Sequence, residues 1–183
     1  MPGVYDAILN RGDDAFHKIV EDLRRLFPTI RGLRLRVVSE STKILEIELT
    51  RGERVPAQFM SEGLLYYLAF AAVRYLEPTS ILLVEEPENG LHPIRVGEVM
   101  RMLREISRTT QVLVATHSPL VVNELSGEEV TLVTRDPERG TQVRRLSETP
   151  NFAERSKVYA LGELWLSYAN GFDEKDLLAL PQP

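Results

Sequence analysis

The stretch "SILLVEEPENGLHP", residues 80–93, decides the reading of this chain. Ile81 to Val84 form an unbroken apolar run. It ends in two adjacent acids, Glu85 and Glu86, followed by Pro87, a third acid, the Asn89-Gly90 pair and His92. A continuous apolar run is what a strand in a parallel sheet covered on both faces shows. Proline cannot continue a ladder, so the strand stops at the acids and the second of them is turned outward. A second such run, "QVLVAT", spans 111–116, and between the two lies "PIRVGEVMRMLREIS", 93–107, amphipathic with Pro93 in its first turn. Strand, helix and strand make a βαβ unit whose two strands are parallel. In open α/β sheets the chemistry gathers beyond the carboxyl ends of the strands. Glu85, Glu86, Thr116 and His117 stand at those ends and are expected to share one crevice.

The flanks fit an α/β domain. Residues 1–10 carry only a weak pattern. From Asp13, the residues Phe16, Ile19, Val20, Leu23, Leu26 and Phe27 recur at helical spacing, and Pro28 ends the helix. "LRLRVVS" (33–39) and "ILEIELT" (44–50) alternate apolar and polar, which predicts two antiparallel strands with a turn over 40–43. "RGERVPAQF" (51–59) reads as a turn and a short extended piece. Residues 62–76 are apolar nearly all round, as in a helix buried on most faces. "SPLVVNEL" (118–125) opens with a Ser cap and Pro at the first helical position. "VTLVTR" and "TQVRRL" around "DPERG" predict a hairpin, and 152–171 a last helix stopped by Gly171.

The 183 residues suffice for one domain with a real core, and no apolar run is long enough to cross a bilayer. There are no cysteines, which excludes disulfides and thiolate metal sites, and no basic-then-apolar leader pattern, so a cytoplasmic protein is expected. A net charge of −5 gives no support to a nucleic-acid partner.

Three features carry chemistry. Of two carboxylates at a strand end, one can hold Mg²⁺ through its waters and the other can orient an attacking water as general base. His117, just before a helix start, stands where backbone N–H groups favour anions and can donate to a phosphate oxygen. Ser61 is a good cap for the helix 62–76. With Glu62 and Gly63 it also forms a helix start with a hydroxyl and a glycine at which an anion could approach the backbone.

The order "MSEG", buried helix, "ILLVEEPENGLHP", "ATHSP" resembles the ABC-type P-loop ATPases, and most of all the stand-alone bacterial AAA-type ATPases related to RecF, OLD proteins and the chromosome-maintenance (SMC) ATPases. The resemblance covers about residues 13–170. It implies a Walker B element with Glu85 at the Mg²⁺ position, usually Asp, and Glu86 as the catalytic glutamate. It implies a signature, Ser61, Glu62 and Gly63, that binds the ATP γ-phosphate of the opposite subunit. Asn89, Gly90 and His92 fall in the D-loop, with His92 where the family carries Asp, and His117 matches the switch histidine.

One element is missing from the sequence. A Walker A loop needs G-x-x-x-x-G-K-[ST], and the four lysines, Lys18, Lys43, Lys157 and Lys175, are preceded by His17, Thr42, Ser156 and Glu174. The expectation is therefore a single domain, 1–183, forming the C-terminal lobe of a P-loop NTPase. Its parts would be a helix and hairpin (1–60), a signature-to-switch-histidine region (61–126), and a hairpin and helix (127–183). It would have a parallel sheet with helices on both faces and small antiparallel hairpins. It would use ATP and Mg²⁺ only when joined to the missing N-terminal Walker A lobe and dimerised. The alternatives are a non-enzymatic binding or dimerisation module and a metal-dependent nuclease using Glu85, Glu86, Glu88, His92 and His117.

Overall fold

A computed structural model of the chain describes residues 1–39, 42–136 and 140–169. The chain divides into two compact units, one ending at Ala115 and one beginning at Thr116.

The first unit opens with two helices, α1 (Pro2–Asn10) and α2 (Ala15–Leu26). The weakly patterned first ten residues thus form a helix of their own. Its buried residues are only Tyr5 and Ile8, three apart and both fully buried. The Tyr5 hydroxyl, pushed up by burial, stays protonated and donates to the Leu68 carbonyl at 2.7 Å. The two expected antiparallel strands are β1 (Ile30–Ser39) and β2 (Thr42–Leu49), with Leu33 opposite Ile47 and Leu35 opposite Leu45. The middle of their predicted turn, Glu40 and Ser41, lies outside the described residues. The short extended piece is a third strand, β3 (Arg54–Pro56), paired with β2.

Helix α3 (Glu62–Val73) is apolar on every side because its surroundings are apolar: Leu64, Tyr67, Leu68, Ala71 and Ala72 join Tyr5, Ile19, Leu23 and Leu45 in one core. The βαβ unit follows as β4 (Ile81–Glu85), α4 (Val96–Ile106) and β5 (Gln111–Ala115), the strands parallel with Ile81 opposite Gln111 and Glu85 opposite Ala115. Helix α4 buries Val99, Met102 and Leu103. On one face of the pair, Leu82, Val84, Val112 and Val114 are half-buried. On the other, Ile81, Leu83 and Leu113 are 47, 66 and 60% exposed.

A closed ring of six alternating charges ties three helices of this unit. Arg74, at the end of α3, binds Asp22 of α2 at 2.8 Å and Glu105 of α4 at 3.1 Å. Arg25 joins Asp22 to Glu98 at 3.1 and 3.0 Å, and Arg101 joins Glu98 to Glu105. Arg74 is the buried member, with 8% of its side chain exposed. Burial would raise the Asp22 carboxyl, but hydrogen bonds from Arg74 and Arg25 outweigh it and hold the group below its usual value. Glu98 is lowered first by the hydrogen bond from Arg101.

The second unit holds α5 (Pro119–Asn123), β6 (Thr131–Asp136), β7 (Gly140–Arg145), α6 (Phe152–Arg155) and α7 (Leu161–Ala169). The hairpin is as expected, with Val133 opposite Val143. The single last helix is instead two. The Ala160 N–H is capped by Glu163 at 3.0 Å, so a new helix starts there. Gly162 then fits against Pro119, where an added Cβ would lie 2.4 Å from the Pro119 carbonyl oxygen, and its N–H donates to Asn123 at 2.7 Å. Gly171, the predicted stop, lies outside the described residues. Val122, Leu132, Leu146, Leu164 and Tyr168 form this unit's core, so Tyr168 is a packing residue. Among the described residues no helix is long and apolar enough to cross a membrane.

Arg74 is the buried link of the ring, and without it Asp22 keeps only Arg25 and Glu105 only Arg101, so Arg74→Ala should destabilise the chain by about 2 kcal/mol at neutral pH. Asp22 and Glu98 have lowered folded pKa values, so their contribution is complete above the unfolded values near about 4 and is lost as pH falls through the folded ones. Urea denaturation should therefore show the gap between wild type and Arg74→Ala closing below about pH 4. A gap independent of pH would show that the ring is not its source.

Candidate functional site

Glu85 closes β4 and is exposed on the same side as Leu83. The ladder continues for one more rung, since the Glu86 N–H donates to the Ala115 carbonyl at 2.7 Å. At Glu86 the backbone enters the left-handed region, with φ of 44°. A non-glycine residue there costs on the order of 1–3 kcal/mol and persists only where its surroundings determine it. They do so from both sides. The β5 carbonyl holds its N–H, while its own carbonyl accepts the Asn89 N–H at 3.0 Å, closing a tight turn around the buried Pro87. The conformation takes Glu86 off the sheet, as the Glu-Pro pair predicted.

The turn continues through Gly90, at φ of 68°, to the start of α3. A Cβ on Gly63 would lie 2.1 Å from the Gly90 carbonyl oxygen, and one on Gly90 would lie 3.1 Å from the Gly63 nitrogen and 3.3 Å from Glu62 Cβ. The backbones of "SEG" and "ENG" are therefore in direct contact. Ser61, in an extended conformation, caps α3 by accepting the Leu64 N–H at 3.4 Å. Ser61 and Glu62 remain exposed and Gly63 is buried. Glu62 in the first turn complements the helix dipole. This contact was not legible in the sequence: the Gly90 carbonyl fills the space that a side chain on Gly63 would need.

Asn89 extends the chain of contacts, its Nδ2 donating to Glu86 Oε2 at 3.0 Å. His92 caps the single 3₁₀ turn that leads into α4, its Nδ1 accepting the Ile94 N–H at 3.4 Å. The Arg95 guanidinium in that turn sits over the Phe27 ring, 4.8 Å from its centre. Glu85, Glu86, Asn89, Gly90, Ser61, Glu62 and Gly63 thus form one continuous edge of the first unit. His117 belongs to the second unit, where it is exposed. Next to it, the Ser118 N–H donates to Thr116 Oγ1 at 3.0 Å, and Ser118 Oγ accepts the Leu120 N–H as the cap of α5.

Among the described residues no three of His, Asp and Glu converge as a metal cluster. Mg²⁺ keeps several of its waters and is held through one or two carboxylates, and Glu85 offers an exposed one at the end of β4.

The model of a family described as "AAA domain, putative AbiEii toxin, Type IV TA system" matches residues 3–123. The chain is similar to an uncharacterized protein of Methanocaldococcus jannaschii, 29% identical over 59% of this chain and 32% of that one. It is also similar to the energy-coupling factor transporter ATP-binding protein EcfA of Methanococcus maripaludis, 25% identical over 63% and 44%. The chain therefore spans less than half the length of either relative. Two solved structures share its fold. One, described as addressing ATP-driven dimerization and DNA-stimulated activation of SMC ATPases, has a TM-score of 0.58 at 16% identity, over 88% of this chain and 97% of that one. The other is the Smc head domain of Pyrococcus furiosus bound to the C-terminal domain of ScpA, with a TM-score of 0.59 at 16% identity, over 84% and 40%.

Because the Gly63 and Gly90 backbones touch, Gly63→Ala should force them apart and cost about 1–3 kcal/mol. That corresponds to a fall of roughly 3–10 °C in the melting temperature. A melting temperature equal to wild type would show that this contact is not made.

Proposed function

The chain belongs to this AAA-domain family and has the fold of the ABC/SMC-type P-loop ATPases, and from that premise we propose that it is the lobe that supplies metal, water and signature groups for ATP hydrolysis. The observation that carries the reading is the continuous edge from Glu85 and Glu86, at the end of a parallel strand, to Ser61 at the start of α3.

In this reading Glu85 holds the Mg²⁺ that accompanies ATP, and that ion supplies charge neutralisation to the phosphates. Glu86 orients a water molecule. As the water oxygen attacks the γ-phosphorus, one of its protons passes to the Glu86 carboxylate and the bond to the β–γ bridging oxygen breaks, releasing ADP. Ser61 and the N–H groups at the start of α3 meet the γ-phosphate of ATP held by the other subunit of a dimer. Glu62 lines that contact. Asn89, Gly90 and His92 carry the D-loop between the base and the signature, and His117 has the sequence position of the family's switch histidine.

The phosphate cradle comes from a second lobe carrying G-x-x-x-x-G-K-[ST], which the sequence lacks. The sheet supports this independently. Parallel strands are stable when both faces are covered, yet Leu83 and Leu113 are 66 and 60% exposed. The same exposed face is what a non-enzymatic docking module would carry, and ATP turnover separates the two readings.

The chain alone should not hydrolyse Mg-ATP measurably. Coexpressed with a lobe that carries the phosphate loop, it should turn ATP over, and Glu86→Gln should then lose about 10²–10⁴ in kcat. Robust turnover by the chain alone would refute the two-lobe reading. Wild-type turnover of Glu86→Gln in the joined protein would refute the base.

A further inference from the structure

Resting on that reading of Glu86, we propose that Asn89 is a positioning residue that holds the Glu86 carboxylate by one oxygen and leaves the other oxygen to the water. The Asn89 Nδ2 donates to Glu86 Oε2 at 3.0 Å. A carboxylate is an acceptor only, so the amide nitrogen must face it. The bond is charge-assisted and stronger than a neutral one.

The turn itself does not require asparagine. Asparagine is favoured in turns because it tolerates the left-handed region, but among the described residues the non-glycine residues with positive φ are Glu86 and Asn151. What closes the turn is the Asn89 N–H to the Glu86 carbonyl, a backbone bond that any residue but proline can make. The side chain is therefore free for another task, and the task it performs here is to restrain Glu86. Glu86 needs that restraint. It is half-buried, and among the described residues no lysine, arginine or histidine pairs with it. Without Asn89 its carboxylate would be held only through its strained backbone.

The neighbouring residue adds a second consequence. Gly90 packs against Gly63, so the residue that orients the base is fixed next to the first turn of α3. Whatever binds at Ser61 and displaces that turn also moves the donor that aims Glu86.

Two measurements test the proposal. In the chain as it stands, the Asn89 side-chain amide protons should be shifted downfield in ¹⁵N-resolved NMR spectra and return to ordinary values in Glu86→Ala. An unchanged Asn89 signal would overturn the contact. In the protein joined to its phosphate-loop lobe, Asn89→Ala should lower kcat about tenfold with KM unchanged, and Asn89→Gln should recover part of the loss. In a Glu86→Gln background, Asn89→Ala should cost nothing further, because it acts through Glu86. An equal loss in both backgrounds, or an undiminished kcat for Asn89→Ala, would overturn the role while leaving Glu86 as the base. A Glu86→Gln protein with full turnover would instead remove the base on which the role depends.

Discussion

One backbone hydrogen bond sets the geometry of this molecule's edge: the Glu86 N–H to the Ala115 carbonyl, 2.7 Å long. It adds a rung to the parallel ladder after the strand has ended. Pinned there on one side and by the Asn89 turn on the other, Glu86 is held at φ of 44°. That angle sends the chain back across the sheet end instead of along it. Gly90 then meets Gly63, where any side chain on Gly63 would strike a carbonyl. A local strain of on the order of 1–3 kcal/mol is thereby exchanged for a fixed relation between the acids of β4 and the first turn of α3.

The same strands show where the unit is incomplete. α4 buries Val99, Met102 and Leu103, and the residues 82, 84, 112 and 114 are at least half covered. Leu83 and Leu113 on the other face are 66 and 60% exposed. Burying a side chain of this kind is worth about 1.5–3 kcal/mol, so the bare face holds several kcal/mol of unused association energy. In the two-lobe reading proposed above, the lobe that brings the phosphate loop would also cover this face of the sheet.

Much of this was legible in the sequence, because strong signals are local ones. Continuous apolar runs gave β4 and β5, alternation gave β1 and β2, and the Asp-Pro-Glu-Arg-Gly segment gave the hairpin. Helix α1 was missed because its pattern rests on two residues whose partners, Leu68 among them, are far away in sequence. The 152–171 segment was read as one helix because its apolar spacing runs through the break. The break is made by Glu163 capping Ala160 and by Gly162 fitting Pro119, neither of which is visible as periodicity. In the site, the identity of the acids and glycines was readable. The contact of Gly63 with Gly90 was not, since 27 residues separate them and only the fold closes the gap.

The distribution of charge sorts structure from function in the first unit. Asp22, Glu98 and Glu105 are all neutralised by Arg25, Arg74 and Arg101 in a closed ring. Glu62, Glu85 and Glu86, by contrast, have no ion pair among the described residues. Unpaired carboxylates gathered at one edge repel one another and any polyphosphate that approaches. They suit a ligand only if it brings its own cation and if other groups hold its remaining charge. Mg-ATP on a separate phosphate loop meets both conditions. In the proposed reading the acids that end β4 complete a site rather than constitute one: they would supply metal contact and base, and a second lobe would supply the positive half.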